Sequence, residues 1–247
     1  MRVVGIIQAR MGSQRLPGKV LRPLAGRSVL GWVVRAAQES HGLDELLVAT
    51  SDRPEDDAVV AECARLGVRC VRGDRDDVLS RFIHALDTVD AEAGPVDAVM
   101  RFTADCPLLD PALIATALRV FRAEPGLDYL STALHRVLPR GLDVEIASAA
   151  ALRRVHTLAT AHHRVHVTSY LYTHPDQFRL LGLTFLPDHS DLRVTLDTIE
   201  DWRLIEAVVA HFGDRTIPAG DLIRFLLDNP QIRALNQAIR QKELVEG

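Results

Sequence analysis

Lysine is almost absent from this 247-residue chain: Lys19 and Lys242 stand against 27 arginines. A sequence that uses arginine for nearly every cation, yet keeps a lysine in its first basic loop, implies a position wanting a compact ammonium rather than a planar fork. Acidic residues are missing from the first 38 positions, which hold Arg2, Arg10, Arg15, Lys19, Arg22, Arg27 and Arg35. The whole chain has a net charge of -4, so this positive charge is local, and a general nucleic-acid binder is excluded. Cysteines are few. Cys63, Cys70 and Cys106 form no spacing pattern, which argues against a disulfide framework or a zinc site. No apolar run approaches the roughly 20 residues of a membrane span. The N-terminal apolar stretch, Val3 to Ile7, is too short for a secretory signal, so a cytoplasmic protein is expected. No linker, low-complexity segment or repeat divides the chain, and a single domain over 1–247 is expected.

Apolar runs and helical segments alternate through the first half. Val3–Ile7, Glu45–Ala49, Val68–Val71 and Ala98–Phe102 read as strands. Between them, Ser28–Gln38 reads as a helix capped by Ser28. A second runs from Pro54, with Glu55, Asp56 and Asp57 in its first turn, to Leu66 before Gly67. Helices over Asp76–Ala91 and Pro111–Ala123 continue the rhythm, which predicts an α/β fold with a mostly parallel, doubly wound sheet. In such sheets ligands bind at the C-terminal ends of the strands. The second half predicts strands at Asp128–Ser131, Leu142–Ile146, Phe178–Leu186 and Leu192–Leu196. Its helices are expected at Ser148–Leu158, His163–Thr173, Ile199–His211, Gly220–Leu227 and beyond Pro230. Residues 126–190 are expected to be a small insertion serving as a lid or dimerisation arm.

The loop after the first strand reads QARMGSQRLPGK. Gly12, Ser13 and Gly18 let backbone amides turn toward a ligand, and Arg10, Arg15 and Lys19 add cations. Together they describe a polyphosphate cradle, although the glycine spacing fits neither a P-loop nor the dinucleotide fingerprint. In RFTADCPLLDP, Asp105 directly follows a strand, where a carboxylate beside bound phosphates holds Mg²⁺. Asp110 reads as a helix cap and Cys106 as a small buried filler. In LRVTLDTIED, Asp197 supplies a second carboxylate, Thr198 caps the next helix, and Glu200 and Asp201 complement its dipole. In LPRGLDVEIAS, Arg140 sits in a turn, and Asp143 and Glu145 share one strand face, suited either to sugar hydroxyls or to solvent. His162 and His166 are four apart but lack a third ligand and a general-base Glu, so with Arg164 they read as an anion-facing patch.

Taken in order, IIQARMGSQRLPGKVLRPLAG, ATSD, GDRDDVLSR, RFTADCPLLDP, GLDVE and LRVTLDTIEDW resemble the cytidylyltransferases of the spore coat polysaccharide biosynthesis protein SpsF type. These are relatives of CMP-KDO and CMP-sialic acid synthetases. The resemblance spans residues 2–211 and implies a GT-A-like nucleotidyltransferase fold, a homodimer, and Mg²⁺-dependent transfer of CMP from CTP with pyrophosphate leaving. It implies that Gln8, Ala9, Arg10, Gly12, Ser13, Arg15, Lys19, Ser51, Asp77, Thr103 and Ala104 surround the nucleotide. Arg10, Lys19 and Asp105 would be catalytic, and Asp105 and Asp197 would hold the metal. Arg140, Asp143, Glu145, His166 and Arg193 would face a sugar-acid-like acceptor. Two departures stand out. Ala104 replaces the family's usual Gly before the metal aspartate, which narrows the floor or shifts the backbone. His163–Arg164–Val165–His166 replaces a Glu–Arg–Glu–His run, so both acids are gone from a segment expected near the acceptor or a partner subunit. Another NTP, a sugar-phosphate or phosphonate acceptor, or a nucleotide-sugar-binding protein without turnover are the alternatives.

Overall fold

The computed structural model describes residues 1–241, so Lys242 lies outside the described residues. Strand β1 (Val3–Gln8) runs parallel to β4 (Glu45–Ser51), with Ile7 opposite Val48, and to β6 (Ala98–Thr103), with Ile7 opposite Phe102. β5 (Arg69–Gly73) extends the parallel sheet beyond β4. On the other side β8 (Glu145–Ser148) pairs antiparallel with β6, followed by β7 (Tyr129–Ser131) and β9 (Leu180–Gly182). The order is β5-β4-β1-β6-β8-β7-β9, and β8 alone runs against the others. A separate two-stranded hairpin, β2 (Pro23–Leu24) with β3 (Arg27–Ser28), closes the basic loop.

Strand periodicity splits the core into two layers. Val3 and Ile7 face one layer, with α1 (Val29–Glu39), α4 (Pro111–Ala123) and α8 (Ile199–Phe212). Val4 and Ile6 face the other, with α3 (Val78–Ala93) and α5 (Ala149–Leu158). All four side chains are 0% exposed, and each contributes about 1.5–3 kcal/mol by leaving water. Burial on both faces is what an apolar parallel strand reports in its sequence. The expected caps Ser28 and Asp110 accept backbone N–H bonds at their helix starts, as do Asp77 and Ser148, and Thr198 forms a reciprocal capping box with Asp201. α2 (Asp57–Leu66) ends at Gly67 with φ +65°.

The second half departs from expectation in four places. The helix expected at His163–Thr173 is two short ones, α6 (His162–Val165) and α7 (Ser169–Thr173), broken at Val167, whose φ is +27°. Phe178–Leu186 contributes only β9, because its partner β7 is three residues long and pairs with Leu180–Gly182 alone. The strand read at Leu142–Ile146 lies later, at β8. Leu192–Leu196 is buried except at Arg193, but it belongs to no strand of the sheet and pairs through an isolated bridge between Arg140 and Arg193, both outside the sheet. Residues 126–190 supply β7, β8 and β9 to the same sheet as β1. α9 (Ala219–Asp228) and α10 (Pro230–Arg233) follow. Among the described residues no helix is long and apolar enough to cross a membrane.

Candidate active site

The basic loop is anchored at both ends. The Met11 N–H donates to Asp56 Oδ1 at 2.6 Å, and the Gly18 N–H donates to the Met11 carbonyl at 3.0 Å. Asp56 is buried and also accepts from the Ser51 hydroxyl, so Ser51 braces the loop from behind and lies outside the cleft lining. Gly18 has φ +69°, a conformation that costs glycine little, and its turn directs Lys19 inward.

Lys19 is 8% exposed, and its ammonium makes three bonds: to Asp105 Oδ2 at 2.8 Å, to Asp197 Oδ1 at 2.8 Å and to the Leu196 carbonyl at 2.7 Å. All three ammonium protons are used. Burial by itself would lower the Lys19 pKa, but Asp105 and Asp197 outweigh it and the net shift is upward. Asp197 shows the mirror image: burial pushes it up, while Lys19, Arg15 and Arg193 bring it down to about 2. Asp105 is also held low by Lys19 against the effect of burial. The two carboxylates, distant in sequence, therefore converge on one point, currently held by the chain's own cation.

A second layer orients Asp197. Arg193 donates to Asp197 Oδ2 at 2.6 Å, to Asp201 Oδ1 at 2.8 Å and to Gln241 Oε1 at 2.7 Å. Asp201 is 0% exposed and also accepts from Asn236 Nδ2 at 2.8 Å and from the Asp197 and Thr198 N–H groups. Arg193 was expected at the acceptor; the structure sets it behind Asp197, outside the cleft lining. Asp201, expected only as a dipole partner, is the hub of this network.

These groups border a cleft of about 1160 Å³ across the C-terminal ends of β1 and β6. It brings together Gln8, Ala9, Arg10, Gly12, Ser13, Arg15, Lys19, Thr103, Ala104, Asp105, Arg140, Asp143, Glu145, His166 and Asp197. Asp77 is outside it: Asp77 caps α3 and accepts from Arg164 Nε at 2.6 Å. That pairing also removes Arg164 from the anion-facing patch expected around the histidines. Among the described residues no group of three or more His, Cys, Asp or Glu side chains is placed to hold a metal ion. Cys106 is buried, and burial followed by Asp105 raises its pKa, as suits a filler rather than a nucleophile.

Sequence reasoning missed several lining residues. Arg81 is 2% exposed with its Nε unpartnered, and burial followed by the nearby Arg10 lowers its pKa. Arg101 lies in β6 and donates to Gln8 Oε1 at 3.0 Å and to Glu145, which also accepts from Tyr129 and Thr168. Glu145 was expected to face either sugar hydroxyls or solvent; its carboxylate is bonded to Arg101, Tyr129 and Thr168 in this buried network. Asp143 pairs with Arg136 at 2.5 Å. Among the described residues the guanidinium groups of Arg10 and Arg140 make no hydrogen bond or ion pair, and both open into the cleft. The available signal was Arg101, a charge within an apolar strand, which is buried only with a partner.

The donor set suits a hard divalent cation, which takes one or two carboxylates and completes its shell with water and substrate phosphates. A glycine-bearing basic loop with unpaired guanidinium groups, set beside two converging carboxylates at the C-terminal ends of parallel strands, suits the class of α/β enzymes that transfer nucleotidyl groups. This chain belongs to the cytidylyltransferase family, whose model matches residues 4–240. It is 34% identical to the spore coat polysaccharide biosynthesis protein SpsF of Bacillus subtilis over 247 residues, covering 96% of this chain and 98% of that one. A solved cytidylyltransferase from Leptospira borgpetersenii superposes with a TM-score of 0.90 at 28% identity, covering 98% and 100% of the two chains. CMP:2-keto-3-deoxy-manno-octonic acid synthetase complexed with CTP shares the fold, with a TM-score of 0.65 at 17% identity over 86% of this chain and 100% of that one. The nucleotidyltransferase fold and the use of CTP are thereby those of this chain's family.

Proposed function

We propose that this enzyme transfers CMP from CTP to an oxygen of a sugar-acid-like acceptor, releasing pyrophosphate, with Mg²⁺ as its cation. The observation that carries this reading is the convergence of Asp105 and Asp197 on one point at the mouth of the basic loop. The acceptor oxygen attacks the α-phosphorus of CTP, the bond to the β-phosphate oxygen breaks, and the acceptor proton passes to solvent. The loop amide at Gly12, with Arg10 and Arg15, binds and orients the triphosphate and neutralises the charge that develops on the leaving group, while the Ser13 N–H is spent on the Met11 carbonyl at 2.9 Å. Asp105 and Asp197 would hold the cation, which supplies charge neutralisation and lowers the pKa of the attacking hydroxyl. Among the described residues no side chain in the cleft stands out as a general base. Arg140, half-buried and unpaired beside Arg136, would meet an anionic group on the acceptor. That corner also supports a second reading, in which the anion is a phosphate or phosphonate. Family resemblance further supports a cytoplasmic homodimer and an acceptor-binding or dimer-forming role for residues 126–190.

Pyrophosphate release, measured with each NTP in turn against a panel of keto-sugar acids, sugar phosphates and phosphonates, tests this function. CTP with a sugar acid is expected to be the productive pair, and Asp105→Asn to abolish turnover while keeping the fold. Normal CMP transfer by Asp105→Asn would refute the role given to the carboxylate pair. Tight nucleotide binding without release from any pair would instead support a binding protein.

A further inference from the structure

We infer that Lys19 occupies the cation seat of the nucleotide-free enzyme, and that the seat opens only when a bound polyphosphate draws the ammonium away. The inference rests on the proposed function of this same site. Three observations carry it. The ammonium touches both carboxylates and the Leu196 carbonyl, so its donors are saturated by the groups a divalent cation would need. Lys19 is 8% exposed, so it is not a mobile surface lysine that happens to point inward. Charge is already balanced around Asp197, because Arg15 at 3.1 Å and Arg193 at 2.6 Å share it with Lys19. A divalent cation approaching this knot alone gains two carboxylates only by stripping a buried ammonium of both its anionic partners. Leaving a buried charge unpaired is strongly unfavourable.

A polyphosphate changes that balance. It arrives between the loop amides and Arg10 with several anionic oxygens, and it offers the ammonium new acceptors along the same loop. Lys19 then exchanges two carboxylates for phosphate oxygens, and Asp105 Oδ2 and Asp197 Oδ1 are released for the cation carried by the nucleotide, while Arg15 and Arg193 lie on Asp197 Oδ2. Lys19 is thus a positioning residue that couples nucleotide binding to cation binding. It prevents the free enzyme from holding the metal in an unproductive state. Coupling of this kind between two ligands is typically about 5- to 150-fold in affinity.

The scarcity of lysine makes the test direct. Labelling the protein with lysine enriched in ¹³C at Cε gives signals from Lys19 and Lys242 alone, and Lys242→Arg assigns them. Mg²⁺ alone is expected to leave the Lys19 signal unmoved, whereas CTP with Mg²⁺, in the absence of acceptor, moves it. In parallel, Mn²⁺ binding to the nucleotide-free protein, followed by electron paramagnetic resonance, is expected to be weak. Lys19→Met should strengthen that binding by about 5- to 150-fold and abolish the help given by CTP. If the Lys19→Met variant fails to fold, the lysine signals of the otherwise native chain still decide the matter. A Lys19 signal that shifts with Mg²⁺ alone overturns the inference. So does one that stays fixed while CTP visibly stabilises the protein, and in that case the proposed function survives. Failure of CTP to bind at all overturns both.

Discussion

Asp197→Asn removes one negative charge from the knot beneath the basic loop, and its cost can be worked from the structure. Asp197 is 16% exposed at its side chain and bonds to Lys19, Arg15 and Arg193. Burial opposes ionisation, but those three cations hold the pKa at about 2, against an ordinary 3.8. The difference is equivalent to about 2 kcal/mol of stability. Because the folded-state pKa is the lower one, this stability is fully present above pH 3.8 and is lost as the pH falls toward 2. About half of it should be gone by roughly pH 3. Near neutral pH the variant should therefore be less stable by about 2 kcal/mol or somewhat more, since the stranded cations add their own cost. For a chain of this size that corresponds to a midpoint lowered by roughly 4–8 °C. Urea unfolding of both proteins, measured from about pH 6 to about pH 3, supplies the comparison, and the gap should narrow toward the acid end. A gap that stays constant across that range would show that the ionised carboxylate is not what stabilises the fold here.

Glu145→Gln should be among the most destabilising polar substitutions, at about 3–5 kcal/mol, because it strands the buried Arg101; chemical denaturation measures it. Gly141→Ala should lower both melting temperature and activity. Gly141 has φ +105°, and a Cβ there would lie 2.5 Å from the Thr195 nitrogen, so the backbone strain of about 1–3 kcal/mol adds to a direct clash. Arg140→Gln should behave in the opposite way. No carboxylate is left stranded, so stability should change by no more than about 0.5 kcal/mol. The KM for the acceptor should rise about tenfold or more, from loss of a charge-assisted bond of roughly 1.5–3 kcal/mol. An unchanged acceptor KM would remove Arg140 from the acceptor site.

The parallel half of the fold was legible because its signals are local. β1, β4 and β6 are buried on both faces and so are largely apolar, with Arg101 the charge inside β6, and Ser28, Asp110 and Thr198 mark helix starts by their own hydrogen bonds. The second half was less legible because its strands are short and their pairing is set by partners far away. Leu192–Leu196 has strand-like composition, but its pairing is an isolated bridge between Arg193 and Arg140, outside the sheet. The run from His163 to Thr173 looks helical by composition, yet Val167 takes a positive φ and breaks it. Composition carries no warning of that.

At the site, the sequence alone determined which chemistry is present: a basic loop with glycines at the end of a buried strand, one retained lysine, and two aspartates at the ends of apolar runs. Those facts depend only on residue type and spacing. What the tertiary structure decided is the pairing. Lys19 meets Asp105 and Asp197 across 86 and 178 positions of sequence, Arg193 turns behind Asp197 rather than toward the acceptor, and Glu145 is taken up by Arg101. Electrostatic energy depends on distance and burial, and neither exists until the chain has folded.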